Sequence, residues 1–337
     1  MIKNNRVMFS KYGYILFVFI LICSYIYSLT IAPVNADYGY YVGAAKSMAQ
    51  GLVPYRDISL GYPPFVFYLL SIPYVLCGTD ISPLVPMYIA FLFNLANGYL
   101  IWLVLKNFGV SKFIRQYTIV LYIIYLYSVE SIFFGLEPFA TFWGLLGTYI
   151  LLKNKRCLGV AGLCLTLAFL CKQYALLYAP VYALLILLLR VDKTIKERML
   201  TVLQVALWSL ISVLIVHLLF VFLTGEGDYF TLLLGTGYGR RSFSGVVEVL
   251  RKRFFHMFFI VLLIPIVWNR LSRLEIKRMI FLFVSIFLLL LQNYYDTSPH
   301  YLIFIVPYVV VLVAIILNNI SFVWVRVASC CGCKRYY

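Results

Sequence analysis

Long apolar stretches, separated by short basic segments, recur along most of this sequence. Eleven long runs contain no Asp, Glu, Lys or Arg: 12–36, 58–79, 81–105, 116–129, 138–152, 157–171, 173–189, 199–225, 254–269, 279–295 and 297–325. A helix needs about 20 apolar residues to cross the ~30 Å hydrocarbon core of a bilayer, with ~17 as a lower bound. The pattern therefore predicts an all-α, polytopic bundle of transmembrane helices, in which the shortest runs extend into their flanks.

Two of these runs are separated by one charged residue, Lys172. A continuous helix over 157–189 would be about 50 Å long at ~1.5 Å per residue, which is longer than one span requires. The sequence therefore predicts two short spans that meet at Lys172 and Gln173.

The run 58–79 is ambiguous because it contains three prolines and two glycines, which break or kink helices. If it does not cross, the side of the N terminus holds 20 of the 28 Lys and Arg residues and the other side holds 8. If it crosses, the counts become 9 and 19. Cytoplasmic loops of membrane proteins carry an excess of Lys and Arg, so the first arrangement is favoured. We predict about ten spans with both termini in the cytoplasm.

The resulting layout is a single membrane domain over 1–337. It has a first extracytoplasmic loop at 37–79 with interfacial helices, a second outer loop at 226–253 and a short cytoplasmic tail at 326–337. Short loops favour the plasma (inner) membrane of a bacterium. A cleavable leader over 12–36 is the less favoured alternative, because this run is longer than the apolar region of a typical leader.

Composition agrees with a protein that lies in a bilayer. Hydrophobic residues make up 64% of the chain and charged residues 12%, against about 25% charged in a soluble domain. The formal net charge is +16, but the basic residues are clustered between apolar runs, as in membrane proteins. These features exclude a soluble enzyme behind a signal peptide, a disordered tail and a nucleic-acid-binding module, so we expect no nucleic-acid partner.

Carboxylates are concentrated on the predicted outer side, which holds nine of the twelve Asp and Glu residues. No predicted span carries Asp, Glu, Lys or Arg at its centre, whereas ion-coupled and proton-coupled transporters usually need such residues on their path. The distribution favours chemistry at the outer membrane face.

The outer segment with the most candidate functional residues begins at Asp37, directly after the first predicted span. Residues from Tyr41 to Ala49 recur at helical spacing on one face, and Gly51 supplies a stop. We predict a short interfacial helix over 38–50 with Asp37 as its N-cap. Two interpretations of Asp37 stay open: it only caps this helix, or it takes part in chemistry.

Several segments together resemble GT-C superfamily glycosyltransferases, membrane enzymes that include protein O-mannosyltransferases and the lipid A aminoarabinose transferase. The first outer loop of that family is similar to Asp37 with its amphipathic stretch, followed by Pro54-Tyr55-Arg56-Asp57 and Tyr62-Pro63-Pro64-Phe65. Later similar segments are Gly135-Leu136-Glu137-Pro138-Phe139, the stretch from Ala161-Gly162 to Lys172-Gln173, and Ser298-Pro299-His300-Tyr301-Leu302 before Pro307. The resemblance covers nearly the whole chain in order, and the smaller bacterial enzymes without a soluble C-terminal domain are the most similar.

The resemblance implies inverting transfer of a sugar from a polyprenyl-phosphate donor to a glycan, lipid or protein acceptor at the outer face. It assigns Asp37 as the catalytic base. Physical chemistry favours such a group, because a sugar hydroxyl is a poor nucleophile and a positioned base contributes on the order of 10²- to 10⁴-fold in rate. The phosphate leaving group needs cations rather than a second carboxylic acid.

The chain departs from the family pattern in two places. Tyr38 replaces an acidic residue and no D-x-D triplet occurs, so we expect no required metal or cofactor. Tyr62 stands where the aminoarabinose transferases carry a phosphate-binding Lys, so another cation must contact the donor phosphate. The candidate cations are Lys172, Arg240, Arg241, Arg56 and His300. Candidate contacts to the sugar or acceptor are Asp57, Tyr55, Glu137 and Tyr301.

Two other functions are compatible with the sequence. An outer-face polysaccharide polymerase or ligase would depend on loop arginines such as Arg240 rather than on Asp37. A lipid or solute transporter without chemistry would need a polar path through the bundle, for which the spans offer residues such as Asn94, Asn97 and Gln292.

Overall fold

A computed structural model describes residues 14–15, 18–28, 36–128, 135–153, 157–225, 244, 246–248, 251–252, 264–268, 271–295 and 299–330. Among these residues the regular secondary structure is helical, apart from one isolated bridge between Pro54 and Ile58, and turns and loops connect the helices. This confirms the all-α class.

Twelve helices are numbered here along the described part of the chain. They are α1 (Val18–Ser28), α2 (Ala36–Ala49), α3 (Phe65–Cys77), α4 (Val85–Asn107), α5 (Lys112–Ser128), α6 (Glu137–Lys153), α7 (Leu158–Cys171), α8 (Tyr178–Leu189), α9 (Ile195–Thr224), α10 (Ile264–Trp268), α11 (Arg273–Tyr295) and α12 (Val306–Cys330). Two 3₁₀ segments, Gln173–Leu177 and Pro299–Phe304, precede α8 and α12. The last helix continues beyond 325, so residues 326–330 of the predicted tail are helical.

Two of the described helices, α4 and α9, are long and apolar enough to cross a membrane. They have 23 and 30 residues. Five shorter apolar stretches accompany them. Length and composition thus support association with a membrane, while the number of spans stays a prediction.

Small residues allow the central helices to approach closely. A Cβ atom at Gly144 of α6 would collide with the ring of Tyr178 on α8, and one at Gly147 would collide with the hydroxyl of Tyr182. On α7, a Cβ at Gly162 would lie 2.8 Å from the backbone nitrogen of Ser209 on α9. Helix α6 therefore lies in the middle of the bundle, against α4, α7 and α8, and its first residue is brought beside the segment that joins α7 to α8.

The helical conformation is interrupted at Lys172, as the sequence predicts. Helix α7 ends at Cys171, and Lys172 has an extended backbone with φ −154° and ψ 125°. The 3₁₀ segment then leads into α8. The side chain of Lys172 is buried at this break.

The prediction that Asp37 is an N-cap is wrong, because the helix begins two residues earlier than the predicted 38–50. Helix α2 begins at Ala36, so Asp37 lies in its first turn, where a negative charge still complements the helix dipole. The predicted stop is confirmed, because α2 ends at Ala49 and Gly51 has φ +90°. Only a glycine adopts this φ without strain.

Contacts between helix ends define two ends of the bundle. At one end, which we call the basic end, Arg278 of α11 donates to the carbonyl of Phe108, and Asn318 of α12 accepts from the backbone of Ser111. The opposite end, which we call the site end, contains the start of α6, the break at Lys172 and the 3₁₀ segment before α12.

Candidate active site

A buried ion pair lies at the centre of the site end. The Nζ atom of Lys172 is 2.7 Å from Oε1 of Glu137, and the two side chains are only 1% and 3% exposed. Glu137 is the first residue of α6, and Lys172 occupies the break between α7 and α8. Charges removed from water cost several kcal/mol each unless they are paired, so each member depends on the other.

Two tyrosine rings enclose the ammonium group of Lys172. Its Nζ atom lies 4.5 Å from the ring centroid of Tyr62 and 4.8 Å from that of Tyr301. Both distances are within the range in which the face of an aromatic ring attracts a cation. Tyr174 packs edge-on against Tyr301, with ring centroids 5.4 Å apart. The lysine is therefore fixed in position by one carboxylate and an aromatic enclosure.

His300 connects this ion pair to the surroundings. Its Nε2 atom is 3.8 Å from Oε1 of Glu137, and its side chain is 33% exposed. The imidazole also packs against Tyr301, with ring centroids 4.5 Å apart. Lys172 and His300 thus face the same carboxylate oxygen, one from the interior and one from the exposed side.

The first loop folds over the ion pair through tyrosine hydroxyls. Tyr55 donates to the carbonyl of Tyr62 at 2.7 Å. Tyr40 of α2 donates to the carbonyl of Ser59 and accepts from the backbone of Gly61, both at 3.0 Å. These bonds fix the loop between α2 and α3 and hold the Tyr62 ring over Lys172.

Asp37 is exposed at the start of α2, on the same side of the site. Tyr41 follows it by one helical turn, so the two side chains share a face. Burial, then the charge of Glu137 and more weakly that of Asp37, raises the pKa of the Tyr41 hydroxyl. Tyr41 therefore lies within electrostatic reach of both carboxylates, between the buried one and the exposed one.

Tyr55 has the only positive φ among the described non-glycine residues, at 67°. A bulky residue is rarely found in this region, which costs of order 1–3 kcal/mol. The conformation turns the Tyr55 ring toward Phe220 of α9, with centroids 6.0 Å apart. A strained backbone beside a buried ion pair is typical of a functional site.

Arg56 and Asp57 bind one another rather than the buried pair. Arg56 Nη2 lies 3.0 Å from Asp57 Oδ2, and the backbone of Val53 also donates to that oxygen. Hydrogen bonds from Arg56 and from Val53 lower the pKa of Asp57 below its ordinary value. This pair stands at the exposed tip of the first loop.

The structure thus assembles one cluster from residues that the sequence proposed separately: Glu137, Lys172, His300 and Tyr301. Asp37, Tyr55, Arg56 and Asp57 lie in the adjoining segment 36–64. Arg240 and Arg241 lie outside the described residues. Lys172, which the sequence proposed as a cation for the donor phosphate, is paired with the carboxylate of Glu137.

Three members of this end were not among the predicted site residues. The chain has 29 tyrosines, so residue type alone did not mark Tyr62 or Tyr41 as members of the site. Gln292 of α11 donates to the carbonyl of Tyr301 at 2.7 Å, and a glutamine late in an apolar run was its only clue.

Metal binding has no candidate within the described segments. In that part of the chain no three His, Cys, Asp or Glu side chains are grouped so that they could hold an ion.

No protein-family model matches this chain, and no curated protein or solved structure matches it either. The fold and the site alone define the class: an all-helical protein with membrane-compatible helices and a buried acid–base cluster at one end of the bundle.

Proposed function

We propose that this protein is a GT-C type membrane glycosyltransferase that moves a sugar from a polyprenyl phosphate to a glycan, lipid or protein acceptor. One observation carries the proposal. A buried Lys172–Glu137 pair and the partly exposed His300 come from three distant segments and meet at one end of the bundle. The exposed Asp37 lies one helical turn before Tyr41, whose ring packs against the Tyr62 ring that covers Lys172.

The proposal includes about ten spans and a fixed orientation. The site end faces the outside of the plasma membrane, and the basic end faces the cytoplasm, where an excess of Lys and Arg belongs. The lipid donor then presents its phosphate at the level of the first loop, which carries Asp37.

In the proposed reaction, Asp37 accepts the proton of the acceptor hydroxyl as its oxygen attacks the anomeric carbon. The bond from that carbon to the phosphate oxygen breaks, and polyprenyl phosphate leaves with the electron pair. Attack from the face opposite the leaving group inverts the configuration. The exposure of Asp37 fits this role, because an acceptor must reach the base.

Positive charge near the leaving phosphate comes from more than one residue in this proposal. Glu137 neutralises Lys172, so the pair presents a dipole whose cationic end lies between Tyr62 and Tyr301. The additional positive charge comes from His300 when it is protonated and from loop arginines, which can each bind a phosphate through two hydrogen bonds. Those arginines are Arg56, Arg240 and Arg241.

Polar side chains inside the bundle favour an enzyme over a transporter. The amide nitrogens of three such residues donate to groups on other segments and thereby join parts of the bundle. They are Asn94 to the Tyr25 hydroxyl at 3.1 Å, Asn97 to the Pro138 carbonyl at 3.1 Å and Gln292 to the Tyr301 carbonyl at 2.7 Å.

The substitution Asp37→Asn tests the proposal. It removes the base without changing the size of the side chain, and we expect transfer to fall on the order of 10²- to 10⁴-fold. Glycolipids and surface glycans are compared by mass spectrometry in cells that carry the wild type, the variant or no gene. Membrane insertion is measured on the same cells.

Asp80→Asn is the matched control, because Asp80 is also an exposed carboxylate on the predicted outer side. It should leave the product unchanged. Full activity of Asp37→Asn would remove the mechanism. If Arg240→Ala abolished product formation while Asp37→Asn did not, a polymerase or ligase would replace it.

A further inference from the structure

A groove runs along the bundle between α1, α4 and α5. It encloses about 270 Å³, and its walls are almost entirely apolar and aromatic. Leu95 and Tyr99 are 36% and 64% exposed, so the groove opens to the side of the bundle. Other lining residues include Ile22, Phe91, Trp102 and Ile119.

The length of the groove corresponds to one leaflet of a bilayer. It extends along α4 from Phe91 to Trp102, which is about 16 Å at ~1.5 Å per residue. Half of the ~30 Å hydrocarbon core is about 15 Å. A single hydrocarbon chain that enters at the Trp102 end would therefore reach the bilayer midplane near Phe91.

The Trp102 end of the groove is positively charged. Arg115 of α5 lies over the ring of Trp102, with its guanidinium carbon 4.6 Å from the centroid. Its Nε atom is buried and has no hydrogen-bond partner among the described residues. Lys106 and Lys112 stand exposed at the neighbouring ends of α4 and α5. A buried cationic donor without an acceptor indicates that an anionic group completes the site.

We infer that the groove binds one acyl chain of an anionic phospholipid, whose headgroup phosphate accepts a hydrogen bond from Arg115. The lipid comes from the leaflet at the basic end, because Arg115 lies one turn into α5, at that end of the bundle. The inference goes beyond the proposed transferase, whose donor phosphate belongs to the opposite end. It requires membrane insertion and does not require catalysis.

The test uses the full chain in a mild detergent. Phosphatidylglycerol or phosphatidylcholine is added, and native mass spectrometry counts the lipids bound per chain. We expect one tightly bound phosphatidylglycerol, and binding of phosphatidylcholine that is about ten-fold weaker, since the choline cation of the zwitterionic headgroup repels the guanidinium and offsets its attraction to the phosphate. Equal binding of both lipids would overturn the inference.

Arg115→Gln removes the charge and should weaken phosphatidylglycerol binding about ten-fold. Lys196→Gln is its control, since Lys196 is an exposed cation at the start of α9, which packs on α7 and α8. An equal loss of phosphatidylglycerol binding in the two variants would show a general attraction to basic surfaces and would overturn the inference. An unchanged affinity in Arg115→Gln would also overturn the site.

Leu95→Trp fills the groove and should abolish the bound lipid, whereas Leu92→Trp should not. Leu92 lies on the same helix, is 60% exposed and does not line the groove. Retention of the lipid in Leu95→Trp would contradict binding in the groove. If that variant does not fold, the binding measurement on Arg115→Gln tests the site instead. Displacement of phosphatidylglycerol by added polyprenyl phosphate would assign the groove to the sugar donor and overturn the inference.

Discussion

The two ends of the bundle use buried or half-buried cations for different purposes. At the basic end, Arg278 donates to the carbonyl of Phe108 at 2.8 Å, and Arg198 donates to the carbonyl of Leu187 at 2.7 Å. Both acceptors lie at or near helix C termini, where carbonyl groups lack partners within the helix. These arginines complete helix ends, which is a structural need of the fold.

At the site end, Lys172 has a carboxylate partner and two aromatic rings instead. A buried ion pair of this kind is often no more stable than well-packed apolar residues of the same volume. The fold therefore gains little from Glu137 and Lys172 compared with, for example, Gln and Met. In the proposed transferase, Arg278 and Arg198 therefore serve the fold at the basic end, and Lys172 serves the reaction at the site end.

The largest effect should come from removing one half of the buried pair. Glu137→Gln leaves Lys172 uncompensated, and we expect a loss of about 3–5 kcal/mol in the free energy of unfolding. Unfolding is measured in detergent for Glu137→Gln, Lys172→Met and the double variant. The double variant should regain most of the stability but no transfer activity, because in the proposed transferase the pair serves the reaction rather than the fold.

The double variant is the informative one. A double variant as unstable as the singles would assign the pair to the fold, and the contrast between the two ends would disappear. A double variant that is stable and fully active would remove the pair from the proposed site.

An intermediate effect is expected at the basic end. Arg278→Met removes a charge-assisted bond to Phe108, which should cost about 1.5–3 kcal/mol, and transfer per folded molecule should not change. Arg273→Met is the control, since Arg273 is exposed on the same helix. Thermal unfolding and the glycan assay are measured together. Reduced transfer by folded Arg278→Met would contradict a purely structural role.

The sequence predicted the break at Lys172 because one charged residue interrupts a run that is too long for a single span. It could not predict that Glu137 is the partner of that lysine. The two residues are brought together by the packing of α6 against α7 and α8, and the close approach of α6 to α8 depends on Gly144 and Gly147. Hydropathy reports which residues avoid water, but it does not report which helix faces meet.

The start of α2 shows a second, smaller limit of prediction from the sequence. Asp is a good N-cap, so local preference placed Asp37 outside the helix, yet the helix begins at Ala36. The end of α2 was predictable because Gly51 needs a positive φ, a property of the residue itself. Features that depend on a single residue type were predictable from the sequence, whereas those that depend on tertiary contacts were not.

The smallest effect concerns the exposed pair at the tip of the first loop, which tests whether the site end also contains purely structural charges. The pKa of Asp57 is lowered in the folded protein by hydrogen bonds from Arg56 and Val53. Its contribution to stability is therefore present above the ordinary Asp pKa of about 3.9 and is lost as the pH falls through the lower folded value.

Limited proteolysis of the segment 51–62 between pH 7 and pH 3 measures this contribution. In the wild type, cleavage should increase slightly as the pH falls below about 4. Asp57→Asn should cleave slightly faster at pH 7 and lose this part of the pH dependence, because its amide does not titrate. Asp80→Asn should behave like the wild type. A pH dependence that survives in Asp57→Asn would assign the loop's acid sensitivity to another group and leave the Arg56–Asp57 pair without a structural effect.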